Sequence, residues 1–248
     1  MRQDVIDLRD FYASSRGLAA RRMIRAAIRD LWPSLRGLDV LGLGYAAPYL
    51  QTFRGEAARV VAVMPPAQGV LHWPADGASA TALADEGDLP LADSSIDRIL
   101  CVHAIEHSEQ LRATLRELWR VLAGNGRMLL VVPNRRGLWA RGDKTPFGAG
   151  YPYSAAQLSR VLRDNMFTPT RTSHALYIPP TRSRTLLASA GAWENLGARW
   201  FPAFAGVTMV EASKQLYAAT PVTRRRARIV VPARPVRRPV GATRQRWD

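Results

Sequence analysis

Cysteine and lysine are almost absent from this 248-residue chain: Cys101 is the one cysteine, and Lys144 and Lys214 are the only lysines. A single cysteine excludes an intramolecular disulfide framework, and its place inside an apolar run predicts a buried, inert thiol. Four histidines and that cysteine show no zinc-ligand spacing, so no metal site is predicted. No secretory leader and no apolar span of about 18 residues occur, which predicts a cytoplasmic protein without a membrane span. Internal repeats are absent too. Acidic residues are few, 20 against 35 basic ones, and arginine supplies nearly all of the net charge of +15.

That charge is unevenly spread. Residues 222–248 hold nine arginines and one acid, a net +8, punctuated by proline. Such a segment cannot bury enough apolar surface to fold alone and is predicted to be a disordered tail. It is either a solvated extension or a grip for nucleic acid, anionic lipid or an acidic partner. With 47% apolar residues, the chain has enough for one α/β core. Residues 1–36 are predicted to form helices capping a domain over 37–221.

The stretch from Asp88 to Asn134 organises the rest. Ile96 to Val102 is a short apolar run, as a buried parallel strand should be. Ser108 is placed to cap a helix, with Glu109 in its positive first turn. Leu111, Leu115, Leu118, Trp119 and Leu122 make its apolar stripe, and Gly124 and Gly126 are expected to stop it. Met128 to Val132 is the next strand, closed by Pro133. Strand, helix and strand of this kind form a right-handed crossover.

Elsewhere, Val5, Leu8 and Tyr12 give one short helical face, and Ile24, Ile28, Leu31 and Trp32 another, ended by Pro33. Strands are predicted at Leu38 to Leu43, Arg59 to Met64, Thr81 to Leu83, Thr170 to Ile178 and Thr208 to Tyr217. Ser154 caps a helix that Phe167-Thr168-Pro169 ends. Ser183 to Arg199 reads as one helix with Leu186, Leu187, Ala190 and Trp193 inward. Trp193, Trp200, Phe201 and Phe204 are read as core, the alternative being an exposed patch for a partner. In the loop Pro65 to Pro74, Trp73 either anchors the loop or covers a ligand ring. Read as G-x-G-x-x-A, Gly42, Gly44 and Ala47 would be a dinucleotide fingerprint, but the second strand ends at Met64 without the acid that reading needs.

The order acid-x-x-x-Leu-Pro, Ser-Ile-Asp-Arg, apolar strand, His-x-x-Glu-His, helix ending Trp-Arg-Val-Leu, Gly-x-Gly, strand, Pro-Asn resembles class I S-adenosylmethionine-dependent methyltransferases. The resemblance covers about 50 residues. It implies a three-layer, Rossmann-like α/β fold with a seven-stranded, mostly parallel sheet and an antiparallel final strand. It makes 37–221 a methyltransferase-like domain.

It also implies a site for S-adenosylmethionine. The loop Gly42, Leu43, Gly44, Tyr45 and Ala46 would approach the cofactor, although Gly42 stands at an acidic position of the family pattern and Ala46 and Pro48 at glycine positions. Met64 occupies the place of the acid that holds the ribose. Asp85 matches the acid at the adenine, with Glu86 beside it. His103, Ile105, Glu106 and His107 would line the methionine side, and His107 is the candidate catalytic residue. Asn134, Arg135, Arg136, Trp139, Tyr151 and Tyr153 lie where the family builds its substrate wall. There Arg135, Arg136 and Arg141 can hold an anionic group, while Trp139, Phe147 and the tyrosines can stack on a planar one.

Three readings follow: a methyltransferase with an unidentified methyl acceptor, a catalytically silent methyltransferase-like module that binds or regulates a partner, and a nucleic-acid binder working through the tail.

Overall fold

The structure is a computed structural model that describes residues 4–142, 145–181 and 183–216. The expectation of a disordered tail over 222–248 lies outside the described residues.

In chain order the elements are α1 (Val5–Ala13), α2 (Ser15–Leu31), β1 (Asp39–Gly44), α3 (Ala47–Leu50), β2 (Arg59–Met64), β3 (Thr81–Leu83) and β4 (Ile96–Val102). They continue with α4 (Leu111–Val121), β5 (Leu122–Pro133), α5 (Ala155–Asp164), β6 (Phe167–Ala175), α6 (Arg184–Ala188), α7 (Ala190–Trp200) and β7 (Val207–Lys214). The seven strands form one sheet in the order β3-β2-β1-β4-β5-β7-β6. Strands β1 to β5 pair in parallel, and β7 runs antiparallel to both of its neighbours. This is the Rossmann-like methyltransferase architecture.

Alternation along the strands builds the layers. Val40, Leu100, Leu129 and Val131 pack with α1, α2 and α3 on one face. Leu41, Ile99, Cys101, Leu130 and Val132 pack with α4 and α5 on the other. Cys101 is buried, and burial pushes its thiol well above the ordinary range, as an inert core thiol requires. Among the described residues, no helix is long and apolar enough to cross a membrane.

The sheet latches the N-terminal helices through one buried carboxylate. Glu211 of β7, 1% exposed, accepts from Trp32 Nε1 at 2.8 Å, Thr170 Oγ1 at 2.9 Å and Arg127 at 3.0 Å. Three donors from α2's end, β6 and β5 thus satisfy a charge that would otherwise be costly to bury.

Several local expectations change. Ser108 does not cap α4: residues 105–107 form a separate 3-10 turn, Ser108 Oγ bonds Thr114 Oγ1 at 2.8 Å, and the helix starts at Leu111. Gly124 and Gly126 do not stop the helix either. They lie inside β5, where the register jumps between Ile96 and Arg98 of β4. Gly126 is favoured there, because a Cβ would fall 2.8 Å from the Ala123 carbonyl oxygen.

β6 begins at Phe167 rather than Thr170, after Met166 turns the chain with φ +65°. Pro169 is accommodated because β6 is an edge strand, which tolerates a missing amide donor. The predicted helix over 183–199 breaks at Ser189 into α6 and α7. Leu187 and Ala190 are inward as expected, whereas Leu186 and Trp193 are exposed. Trp200, Phe201 and Phe204 are exposed too, so the aromatic cluster is surface and not core.

Candidate functional site at the carboxyl end of the sheet

The carboxyl ends of β1, β2 and β4 meet beneath α1. Gly44 ends β1 with φ +74°, and a Cβ there would lie 2.5 Å from the Val102 carbonyl and 2.9 Å from that of His103. Glycine is needed at this close crossing of two strands. Gly42 has a packing reason instead, since a Cβ would meet Leu50 Cδ1 at 2.5 Å and Ala46 Cβ at 2.8 Å. Tyr45 donates its amide to the Val102 carbonyl at 2.8 Å. Leu43, Tyr45, Ala46 and Met64 are all buried.

α1 reaches into this end through Tyr12. Its ring stacks on Tyr45 at 5.4 Å, and its hydroxyl bonds His103 Nε2 and receives the Tyr49 hydroxyl, both at 2.9 Å. Burial raises the hydroxyl pKa of all three tyrosines, Tyr45 to about 12, so they are neutral hydrogen-bonding groups at physiological pH. Gln68, from the turn after β2, donates to the His103 carbonyl at 2.9 Å, and its own carbonyl takes Val5 N at 2.7 Å. Phe147 closes the other side, 5.1 Å from the His103 ring.

The buried polar atoms gathered here are incompletely paired. His103, at φ +51°, sets Nδ1 3.3 Å from Glu106 Oε1, yet the two are not aligned as a hydrogen bond. Both carboxylate oxygens of Glu106, 1% exposed, lack a hydrogen-bond donor, and Gln68 Oε1 lacks one as well. Ile105 is buried beside them. His103, Glu106 and His107 bring one potential ligand atom each within 4.8 Å of one another. The count of histidines and cysteines in the sequence passed over this trio because its third member is a carboxylate.

Asp85 and Glu86 lie apart from these residues, on a hollow of about 220 Å³ that Pro66, Ala67 and Thr114 also line. Asp85 is exposed and accepts the Gly87 amide at 2.8 Å. The loop that follows is clamped from α4: Leu89 N donates to Glu117 at 2.8 Å, and Arg120 bonds the Leu89 and Leu91 carbonyls. Met64 and Tyr45 border a second hollow, of about 280 Å³, with Arg21, Arg25 and Trp73. A larger hollow of about 730 Å³ between α4 and the end of α5 shares Gly87 and Ala113 with the first.

The predicted substrate wall divides. Trp139 is buried, donating Nε1 to the Ile178 carbonyl at 2.7 Å, and Phe147 is buried against it. Asn134 is occupied internally, donating to the carbonyls of Ala203 and Ala205. Arg135, Arg136, Arg141 and Tyr151 are exposed, and Tyr153 is half-buried beside Asn134. Sequence reasoning missed Tyr12, Tyr49 and Gln68. Tyr12 read as one point of an apolar helical face, and nothing local marks Gln68.

For the cofactor implied by the resemblance, the residues fit one end and not the other. Donor-less buried acceptors at Gln68 and Glu106 suit a cationic, hydrogen-donating head. At the ribose end Met64 offers no acceptor, and the space spared by Gly42 and Gly44 is filled by the protein's own atoms.

Comparison with known proteins agrees with the fold. A family model described as a methyltransferase domain matches residues 38–130. A curated protein of Methanocaldococcus jannaschii, described as uncharacterized, is 38% identical over 50 residues; the match covers 20% of this chain, which spans about a fifth of that relative's length (22%). Among solved structures, an S-adenosylmethionine-dependent methyltransferase of Thermotoga maritima aligns with TM-score 0.57 at 15% identity, over 84% of this chain and 94% of its own. A chain from the Haloferax volcanii complex of a methyltransferase with its activator Trm112 aligns at 0.58 and 16%, over 86% and 97%. A methyltransferase of Archaeoglobus fulgidus aligns at 0.55 and 17%, over 78% and 94%. At these identities the structural likenesses speak for the fold alone. Together with the matched domain over 38–130 and the strand order, they give this chain the fold of the S-adenosylmethionine-dependent methyltransferases.

Proposed function

We propose that the chain is an S-adenosylmethionine-dependent methyltransferase that holds the cofactor's cationic end at Glu106 and Gln68. The observation that carries this reading is the buried Glu106 carboxylate without a donor, at the end of β4 in a methyltransferase sheet. An acceptor in that state is costly unless a ligand completes it. When bound, S-adenosylmethionine supplies an electrophilic methyl group on a sulfonium.

The chain's own residues do the rest. Tyr12 and Phe147 shield the site from water, and Tyr12 fixes the His103 ring. Asp85 and Glu86 receive the adenine edge in their hollow. Arg135, Arg136 and Tyr151 offer an exposed rim for an anionic, planar methyl acceptor. His107 stands ready to take a proton from it, and alignment of nucleophile and methyl group supplies most of the acceleration.

Calorimetric titration with S-adenosylmethionine and S-adenosylhomocysteine tests this. Micromolar binding is expected, reduced at least about tenfold by Glu106→Gln, the loss of a charge-assisted bond. Asp85→Ala should also weaken it; equal affinities would remove Asp85 from the site.

A second reading has its own observation. The ribose end lacks a carboxylate at Met64, and Tyr12 and Gln68 bond His103 where a ligand would approach. A catalytically silent module of this fold would be stable and would bind neither compound even at millimolar concentration.

A further inference from the structure

α7 carries its large apolar side chains on the wrong face for a core helix. Ala190, Glu194 and Gly197, spaced by four and three residues, form its inner side. Ala190 is fully buried, and Gly197 packs so closely that a Cβ would fall 2.4 Å from the Tyr177 ring. Glu194 accepts the amides of Leu176 and Tyr177 at 2.7 and 2.9 Å. Trp193, Leu196 and Trp200, spaced by three and four, face solvent and are 37, 52 and 62% exposed. Phe201 and Phe204, just beyond, are 57 and 53% exposed, and Leu186 of α6 is 38% exposed.

Scattered exposed apolar residues need no explanation, but a contiguous aromatic stripe does. Its composition and charge narrow what covers it. Tryptophan and phenylalanine beside arginine are the residues of helices lying in a lipid interface. Arg199 sits over Trp200, 5.9 Å from the ring centroid. Glu194 is the only acid between residues 183 and 206, and it is turned inward, so the stripe's outward edge carries no negative side chain. A second copy of the chain would set that positive edge against itself. The sequence also supplies a second signal, the net +8 of residues 222–248, and stable reversible attachment to lipid takes two.

We infer that Trp193, Leu196, Trp200, Phe201 and Phe204 form a docking surface for an anionic lipid bilayer. The aromatic side chains enter the interface beside Arg199, and the basic composition of residues 222–248 adds its own attraction to anionic headgroups. This attachment is independent of methyl transfer and needs no membrane-crossing helix.

The full-length protein is mixed with phosphatidylcholine vesicles, or with vesicles that also contain phosphatidylglycerol, and sedimented. Binding at least about tenfold tighter to the anionic vesicles is expected, falling about fivefold for each arginine of Arg224, Arg225, Arg226 and Arg228 replaced by glutamine. Brominated acyl chains should quench tryptophan emission in the wild type, and in a Trp247→Phe background this quenching should be lost in Trp193→Ser/Trp200→Ser. Those two residues are exposed, so the variant should keep its circular dichroism spectrum and its S-adenosylhomocysteine affinity. Equal affinity for both vesicle types would overturn the inference. So would unchanged binding of the double variant, which would leave the tail as the whole cause. A concentration-dependent dimer that the double variant abolishes would assign the stripe to a second copy instead.

Discussion

Two carboxylates, Glu211 and Glu106, are buried to the same degree, each 1% exposed, and live in opposite circumstances. Glu211 in β7 has three donors, from Trp32, Arg127 and Thr170. Glu106, past the end of β4, has none. A folded chain tolerates the first because its bonds return the cost of desolvation, and the second only if something outside the fold is to complete it. Burial alone therefore says nothing about function; the state of the acceptor does. One carboxylate is architecture and the other is a candidate site.

Substitution should separate them. Glu211→Leu strands the Trp32 indole and the Arg127 guanidinium, and should destabilise the protein by about 3–5 kcal/mol in urea unfolding. Glu106→Leu should move stability the other way, raising it by about 1–3 kcal/mol, while abolishing S-adenosylhomocysteine binding. A destabilised Glu106→Leu would mean that the carboxylate is already satisfied in the free protein. Tyr12→Phe removes the hydroxyl that joins His103 to Tyr49 and should cost about 1–2 kcal/mol. It should also loosen the His103 ring, read as a change in the chemical shifts of its ring protons at fixed pH.

The smallest effect concerns a third carboxylate, Glu117, which is fully paired like Glu211 but less deeply buried. Hydrogen bonds from Arg120 hold the Glu117 carboxyl below its ordinary range. A group depressed in the folded state adds stability that is present above its unfolded value, about pH 4, and is lost as pH falls through the folded one. Denaturant midpoints should therefore drop on acidification, and Glu117→Gln should flatten that decline. An unchanged slope would mean that the clamp on Leu89 does not depend on charge.

The architecture was legible because strands β2, β3 and β4 are apolar runs with clean boundaries, and these appear in the structure as the sequence predicted them. Errors gathered where one residue type serves two purposes. Gly124 and Gly126 read as helix terminators and proved to be a register jump, a distinction that depends on the neighbouring strand. Pro169 read as a break and proved compatible with an edge strand, which only the strand order reveals. The α7 stripe has the period of a core helix, and periodicity cannot say which face is inward.

At the candidate site, His103, Glu106 and His107 could be named from the sequence. The pairing of Tyr12 with His103 spans 91 residues of chain, and that of Gln68 spans 35, with no local pattern to announce either.

The position of β7 bears on how the molecule comes into being. Among the described residues β7 is the last strand in the chain, and it is inserted between β5 and β6 rather than added at an edge. Until residues 207–214 have left the ribosome, two strand edges stand open to strangers, and such edges are where nascent chains aggregate. The acceptor for the Trp32 indole also arrives on that strand. A chain stopped short of residue 207 would lack a keystone, with β5 and β6 left unjoined and the Trp32 indole without its acceptor.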